Sequence, residues 1–127
     1  MKQTVALFGE SEKGAFKFPH VLRKLPQLFD LLGNPPGESQ GLSFAVQTIL
    51  YARELIFFRV AEEGFSRIDY FAGLKHLHDR EKVAQVHAIC LPGVGDREIL
   101  AATESVCEIH KSFLITNQKD LYDFLTS

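Results

Sequence analysis

The chain has 127 residues, of which 46% are hydrophobic and 24% charged, and its formal net charge is -2. Such a length and composition are typical of one globular domain and exclude a largely disordered chain. The charge is close to neutral and Lys and Arg are dispersed along the sequence, so we expect no nucleic-acid partner.

The first predicted strand covers residues 4–8 (TVALF) and ends at Gly9. Its apolar run does not alternate with polar residues, which favours a central strand covered on both faces. The next stretch, residues 10–24, is interrupted by glycine and proline, and we predict neither a helix nor a strand for it. Pro26 then begins a short predicted helix that Gly33 ends.

A second helix is predicted from Ser39, as its N-cap, to about Glu54, because apolar residues recur there on one helical face. Residues 55–60 (LIFFRV) form the second predicted strand. Its two phenylalanines, Phe57 and Phe58, are expected in the core of the sheet.

A third helix is predicted to begin at Ser66 and to end before Asp79. Ser66 and Asp69 have the spacing of a capping box, in which each side chain accepts a backbone N–H bond at the helix start. Phe65 and Tyr70 have the spacing of a hydrophobic staple, a contact that fixes how the chain enters a helix.

The last third of the chain has the clearest pattern. Residues 87–91 (HAICL) form the third predicted strand, and the turn 92–95 (PGVG) stops it. Asp96 is predicted to cap the fourth helix, residues 113–116 form the fourth strand, and Asn117 caps a terminal helix.

This alternation of strands and helices with short connections predicts one α/β domain over residues 1–127. We expect a three-layer arrangement, Rossmann-like or flavodoxin-like, with helices on both faces of a small, mostly parallel sheet of about four strands. The connections are expected to be right-handed crossovers, which makes all four strands parallel.

Two cysteines, Cys90 and Cys107, are too few for a disulfide framework and lie at apolar positions. We therefore expect two free, buried thiols. The apolar runs are shorter than the roughly 18 to 20 residues of a membrane span, and the N-terminus reads directly as a strand. The expected location is cytoplasmic, with no membrane partner.

In an open parallel sheet, ligands bind beyond the carboxyl ends of the strands. Small, hydroxyl-bearing and acidic side chains follow the predicted strands, so the candidate ligand-binding and catalytic residues lie on this rim. They are Gly9, Glu10, Ser11, Glu12, Glu62, Pro92, Gly93, Gly95, Asp96, Thr116 and Asn117.

The Pro92 to Asp96 turn is the most specific of these features. Two glycines before a helix let the backbone approach a ligand, and the helix N-terminus favours an anion. Asp96 itself is acidic and, as a cap, already satisfies a donor there. The turn is therefore either a cradle for a small anion or only a tight turn with a capped helix.

Residues 91–95 resemble the Pro-Gly-Val-Gly turn that supplies the oxyanion hole in the glutaminase subunit of imidazole glycerol phosphate synthase. In that family the turn faces a cysteine nucleophile on a Gly-x-Cys-x-Gly elbow. This chain has no such elbow, since Cys90 precedes the turn and Cys107 follows it within a helix. The resemblance therefore implies no amidotransferase activity.

Carboxylates on neighbouring strands are a second source of chemistry. Glu10 or Glu12 and Glu62 or Glu63 face each other if the first two strands are neighbours. Paired carboxylates hold Mg²⁺ or divide the roles of acid and base. They are equally compatible with a solvated edge. The histidines have no metal-ligand spacing, and neither phosphate-loop nor dinucleotide fingerprints are present, so no cofactor is assigned.

Two functions remain open from the sequence. The first is a non-catalytic module that binds a partner protein, its own copy or a small anion, and the surplus of aromatic residues around Phe44 and Tyr51 favours an interface. The second is a small enzyme that uses rim carboxylates on a nucleotide-like substrate or on a glycosidic or phosphate bond.

Overall fold

A central sheet of five strands organises the residues that the computed structural model describes, residues 3–127. The elements along the chain are β1 (Thr4–Gly9), β2 (His20–Leu22), α1 (Leu25–Leu32), α2 (Gly41–Leu50), β3 (Glu54–Arg59), α3 (Arg67–His78), β4 (Ala88–Cys90), α4 (Arg97–His110), β5 (Phe113–Ile115) and α5 (Gln118–Thr126).

The strand order in the sheet is β2-β3-β1-β4-β5. β1 pairs in parallel with β3 and β4, and β4 pairs in parallel with β5. The prediction of a mostly parallel α/β sheet with four parallel strands is confirmed. The sheet also contains a fifth strand that was not predicted, β2, which pairs antiparallel to β3.

Helices cover both faces of the sheet and form two core layers. On one face α1, α2 and α5 pack against Val5, Leu7 and Phe57. On the other face α3 and α4 pack against Phe8 and Phe58, whose ring centroids lie 4.9 Å apart. Successive strand residues point to opposite faces, so Phe57 and Phe58 are both buried, as predicted.

The predicted start and end of the second helix are wrong. α2 begins after Gln40 and ends at Leu50, where Ala52 with φ +60° turns the chain into β3. The hydroxyl of Ser39 has no hydrogen-bond partner among the described residues and therefore does not cap the helix. The backbone N–H groups of Gln40 and Gly41, at the start of α2, are instead bound by the carboxylate of Glu63, which lies in the loop after β3.

The predicted capping box and hydrophobic staple of the third helix are also wrong. The Ser66 hydroxyl accepts the backbone N–H of Glu62, and the Asp69 carboxylate accepts that of Ala61. Both bonds stabilise the loop before α3 rather than the helix itself. Phe65 is 72% exposed and cannot pack against the fully buried Tyr70.

The two remaining caps agree with the sequence. The Asp96 carboxylate accepts the N–H groups of Glu98 and Ile99, and the Asn117 amide oxygen accepts that of Asp120. Both thiols, on β4 and α4, are free and buried, as predicted. Within residues 3–127, no helix is long and apolar enough to cross a membrane.

Candidate functional site

The candidate site lies at the point where the order of the strands in the sheet reverses. β1 lies between β3 and β4, and the chain runs from β1 to β3 on one side and then to β4 on the other. Loops beyond such a switch point diverge and leave room for a ligand. An open cleft of about 490 Å³ lies there. We call it the rim cleft, and its lining is Glu10, residues 36–40, Glu62, Glu63, Phe65 and Gly93.

Two carboxylates of the rim cleft bind backbone N–H groups. The Glu63 carboxylate accepts the N–H of Gln40 at 2.8 Å, of Gly41 at 2.9 Å and of Glu10 at 2.8 Å. In return, the Glu10 carboxylate accepts the N–H of Glu63 at 2.9 Å. A carboxylate at a helix N-terminus satisfies unpaired donors and interacts favourably with the helix dipole. Glu63 therefore caps α2 and joins three loops.

Close contacts between glycine backbones hold the same loops together. A Cβ atom on Gly9 would lie 2.7 Å from the Cα of Gly41, and a Cβ on Gly64 would lie 2.5 Å from the carbonyl oxygen of Gly93. Gly64 also has φ +91°, a conformation that side chains rarely adopt. The backbone packing at the carboxyl end of β1, β3 and β4 thus excludes side chains at these positions.

The turn from Pro92 to Asp96 forms a capped helix start. The Asp96 carboxylate binds two N–H groups of α4 and lies 2.7 Å from the guanidinium of Arg67. Partial burial raises the pKa of this carboxyl, but the N–H bonds and Arg67 outweigh it and hold the pKa below its usual value. A negative charge at this helix start opposes a second anion, so the geometry favours the tight-turn interpretation.

The two cysteine thiols are buried, Cys90 on β4 before the turn and Cys107 on α4 after it. Burial raises the pKa of Cys107 to about 11 and that of Cys90 further above its ordinary value. The thiolate is the reactive form of cysteine, and these environments disfavour it. Burial therefore favours the neutral thiol form of both cysteines.

The remaining predicted rim residues do not line the rim cleft. Ser11 is buried and its hydroxyl donates to the carbonyl of Lys13, while the Glu12 carboxylate accepts the N–H of Asn34 at 3.1 Å. Both therefore stabilise the loop between β1 and β2. Thr116 and Asn117 follow β5, which is separated from β1 by β4.

Glu10, Glu62 and Gly93, which were expected at the rim, line one cleft, whereas the sequence did not indicate the loop at residues 36–40. That loop reaches the cleft because Glu63 binds the N–H groups of Gln40 and Gly41. Nothing in the local pattern around residue 40 indicates this partner, which lies 23 residues further along the chain.

A second surface lies at the outer edge of β2. Phe16, Phe18 and Val21 are 43%, 57% and 46% exposed, and we call this apolar set the β2 edge. Beyond β2 the sheet has no further strand among the described residues. The Arg59 guanidinium lies 4.2 Å from the centre of the Phe16 ring, and one of its nitrogens donates to the carbonyl of Gly14 at 2.7 Å. Arg59 therefore fixes the loop that carries the exposed aromatic rings.

A shallow groove of about 860 Å³ lies beside the β2 edge. Lys17, between the two exposed phenylalanines, lines it together with residues from the end of α3. We call it the basic groove, and its lining is Lys17, Ala72, Lys75, His76, His78, Asp79, Arg80, Glu81, Lys82 and Ile109.

Within residues 3–127, no group of three His, Cys, Asp or Glu side chains is arranged to hold a metal ion. Comparisons with protein-family models, curated proteins and solved structures found no match for the chain. The rim cleft and the β2 edge, with the basic groove beside it, are candidate sites among the described residues.

Proposed function

We propose that the protein is a non-catalytic interaction module, and that a partner protein binds it at the β2 edge. The observation that carries this proposal is the exposure of Phe18 and Val21 beside a strand edge with which no other described strand pairs. Contiguous exposed apolar side chains on a soluble domain are typical of interaction sites. Aromatic residues in particular are enriched at the centre of interfaces.

The rim carboxylates support the non-catalytic part of the proposal. Both carboxylate oxygens of Glu63 and one of Glu10 accept backbone N–H groups of neighbouring loops. A general acid or base must instead reach a proton of the substrate. The acidic character of Glu10, Glu62 and Glu63 also opposes a small anionic ligand in the rim cleft.

Two narrower statements belong to the same proposal. The order of the four parallel strands is similar to the flavodoxin-like arrangement, with β1 between the second and third parallel strands. We also propose a cytoplasmic, reducing environment, because both buried cysteines are free thiols.

The proposal is tested by affinity capture from the native source with three versions of the protein. The double variant Phe18→Ser/Val21→Lys alters the β2 edge, and Phe113→Ser removes a similarly exposed ring, 66% accessible, from the opposite edge of the sheet. We expect wild type and Phe113→Ser to retain the same protein and the double variant to lose it. Equal retention by all three folded versions would show that the β2 edge binds nothing.

A small enzyme at the rim cleft is the second candidate function. It is favoured by one observation, the common cleft shared by Glu10, Glu62 and Gly93 at the switch point. The candidate substrates are nucleosides and other glycosides, whose hydroxyl groups donate to carboxylates. A nucleoside that raises the unfolding temperature of the wild type but not of Glu62→Gln would support this function. Absence of any shift across a nucleoside and glycoside panel would count against it.

A further inference from the structure

We propose that the occupant of the β2 edge is an extended, acidic segment of the partner protein, which adds as a sixth strand beside β2. This inference rests on the interaction module proposed above and specifies its partner. In this mode of recognition, main-chain hydrogen bonds provide affinity, and contacts to alternate side chains provide specificity.

The pairing of β2 with β3 fixes which side chains an added strand meets. Val21 lies opposite Ile56, and Leu22 lies opposite Leu55. Opposite residues of an antiparallel pair point to the same face of the sheet. Val21 therefore points to the face that α3 covers, where Ile56 is buried, while Leu22 belongs to the core of the other face. Because the basic groove includes α3 residues, it lies on the same face as Val21.

The charges around this edge have one predominant sign. Residues 13–29 contain four Lys or Arg residues and no Asp or Glu. One of the four, Arg23, forms an ion pair with Glu54 at 2.6 Å, and the three lysines, Lys13, Lys17 and Lys24, form none within residues 3–127. These three lysines can therefore form ion pairs with carboxylates of a partner.

The basic groove extends this charge towards α3. It contributes Lys75, Arg80 and Lys82 against two carboxylates, of which the Asp79 side chain already accepts the N–H of Glu81. Burial and the nearby Lys82 lower the pKa of His76, which disfavours the charged form of its ring. The positive charge on this side of the groove is therefore carried mainly by lysine and arginine side chains.

The same charges oppose a second copy of this chain at the β2 edge. Pairing of β2 with its own copy would bring two sets of Lys17 and Lys24 together, and like charges across an interface are unfavourable. The short strand and Pro19 before it also limit uncontrolled edge pairing. A short acidic segment fits this edge better than a second copy does. It needs only the few main-chain hydrogen bonds that the short strand offers, and its negative charge complements the lysines.

The test uses two fluorescent ten-residue peptides, one alternating Val with Glu and the other alternating Val with Lys. We expect the acidic peptide alone to bind, with shifts in the amide resonances of residues 20–23. We expect Lys75→Gln/Lys82→Gln to weaken its binding about five-fold, as for the loss of two exposed ion pairs. The control Lys119→Gln removes an exposed charge on α5 and should leave the affinity unchanged.

Equal binding of both peptides, or amide shifts confined to another surface, would overturn the inference. So would tighter binding of a ten-nucleotide oligothymidylate than of the acidic peptide, because the basic groove would then be a nucleic-acid site. If neither peptide binds although capture of the native partner depends on the β2 edge, the acidic-strand inference fails and the interaction module stands. If capture does not depend on the edge, the proposed function itself fails.

Discussion

Glu63 lies in the loop after β3 and joins it to the loop after β1 and to the start of α2 through three accepted N–H bonds. Its neighbour Glu62 is exposed at the same rim. The two residues have the same chemistry and adjacent positions in the sequence. Only the fold makes one of them a helix cap and the other a solvated side chain.

We expect Glu63→Ala to lower the free energy of unfolding by about 2 to 3 kcal/mol, because it removes the cap of α2 and leaves partly buried N–H groups unpaired. The matched control, Glu62→Ala, should change it by less than about 0.5 kcal/mol. Urea denaturation of both variants at pH 7 measures the difference. Equal effects would mean that Glu63 does not organise the rim.

Tyr70 provides a pH-dependent test of the same region. Its buried hydroxyl accepts the N–H of Gly64 at 2.8 Å, and burial raises its pKa to about 12 from an ordinary value of 10.0. The neutral phenol therefore stabilises the fold below pH 10.0, and this contribution is lost as the pH rises towards 12.

We expect Tyr70→Phe to be less stable than the wild type at pH 7 by about 1 to 2 kcal/mol, because the N–H of Gly64 loses its acceptor. The gap should narrow as the pH rises from 10 to 12, since only the wild type has this phenol to ionise. Denaturation midpoints of the wild type and Tyr70→Phe, measured between pH 10 and 12, test this expectation. A constant gap would place the hydroxyl in solvent.

At the level of elements, the four parallel strands were predictable because each is an apolar run bounded by turn residues. β2 was not, since three residues are too few for a period and it depends on pairing with β3. The start of α2 was missed because its cap comes from Glu63, far along the chain. The local sequence can indicate a cap that lies next to its own helix, such as Asp96. It cannot indicate contacts that form only when distant parts of the chain fold together.

The approach of the loops after β3 and β4 can be tested with glycine substitutions. We expect Gly64→Ala to cost about 2 kcal/mol or more, since its φ is positive and the new Cβ would meet the Gly93 carbonyl. Gly95, in open space and without a positive φ, provides the control. Gly95→Ala should change the free energy of unfolding by less than about 0.5 kcal/mol. Comparable losses in both variants would contradict the packing described for the rim.

At the scale of the molecule, the net charge of -2 conceals two surfaces of opposite sign. The rim cleft is acidic, with Glu10, Glu38, Glu62 and Glu63, whereas the β2 edge and basic groove carry lysines. Sequence reasoning located the rim because parallel strands end together at one edge of a sheet. It could not locate the basic surface, because Lys17 and Lys75 become neighbours only when the β2 loop packs beside α3.

Hydrogen exchange of the protein with and without its captured partner tests most directly where the partner binds. We expect the outward-facing amides of residues 20–23 to exchange at least about ten-fold more slowly in the complex, as for hydrogen bonds to an added strand. The amides of residues 62–64 and 93–95 at the rim should exchange at unchanged rates. Protection at the rim with no change at β2 would contradict the proposed interaction edge and favour a ligand site in the rim cleft.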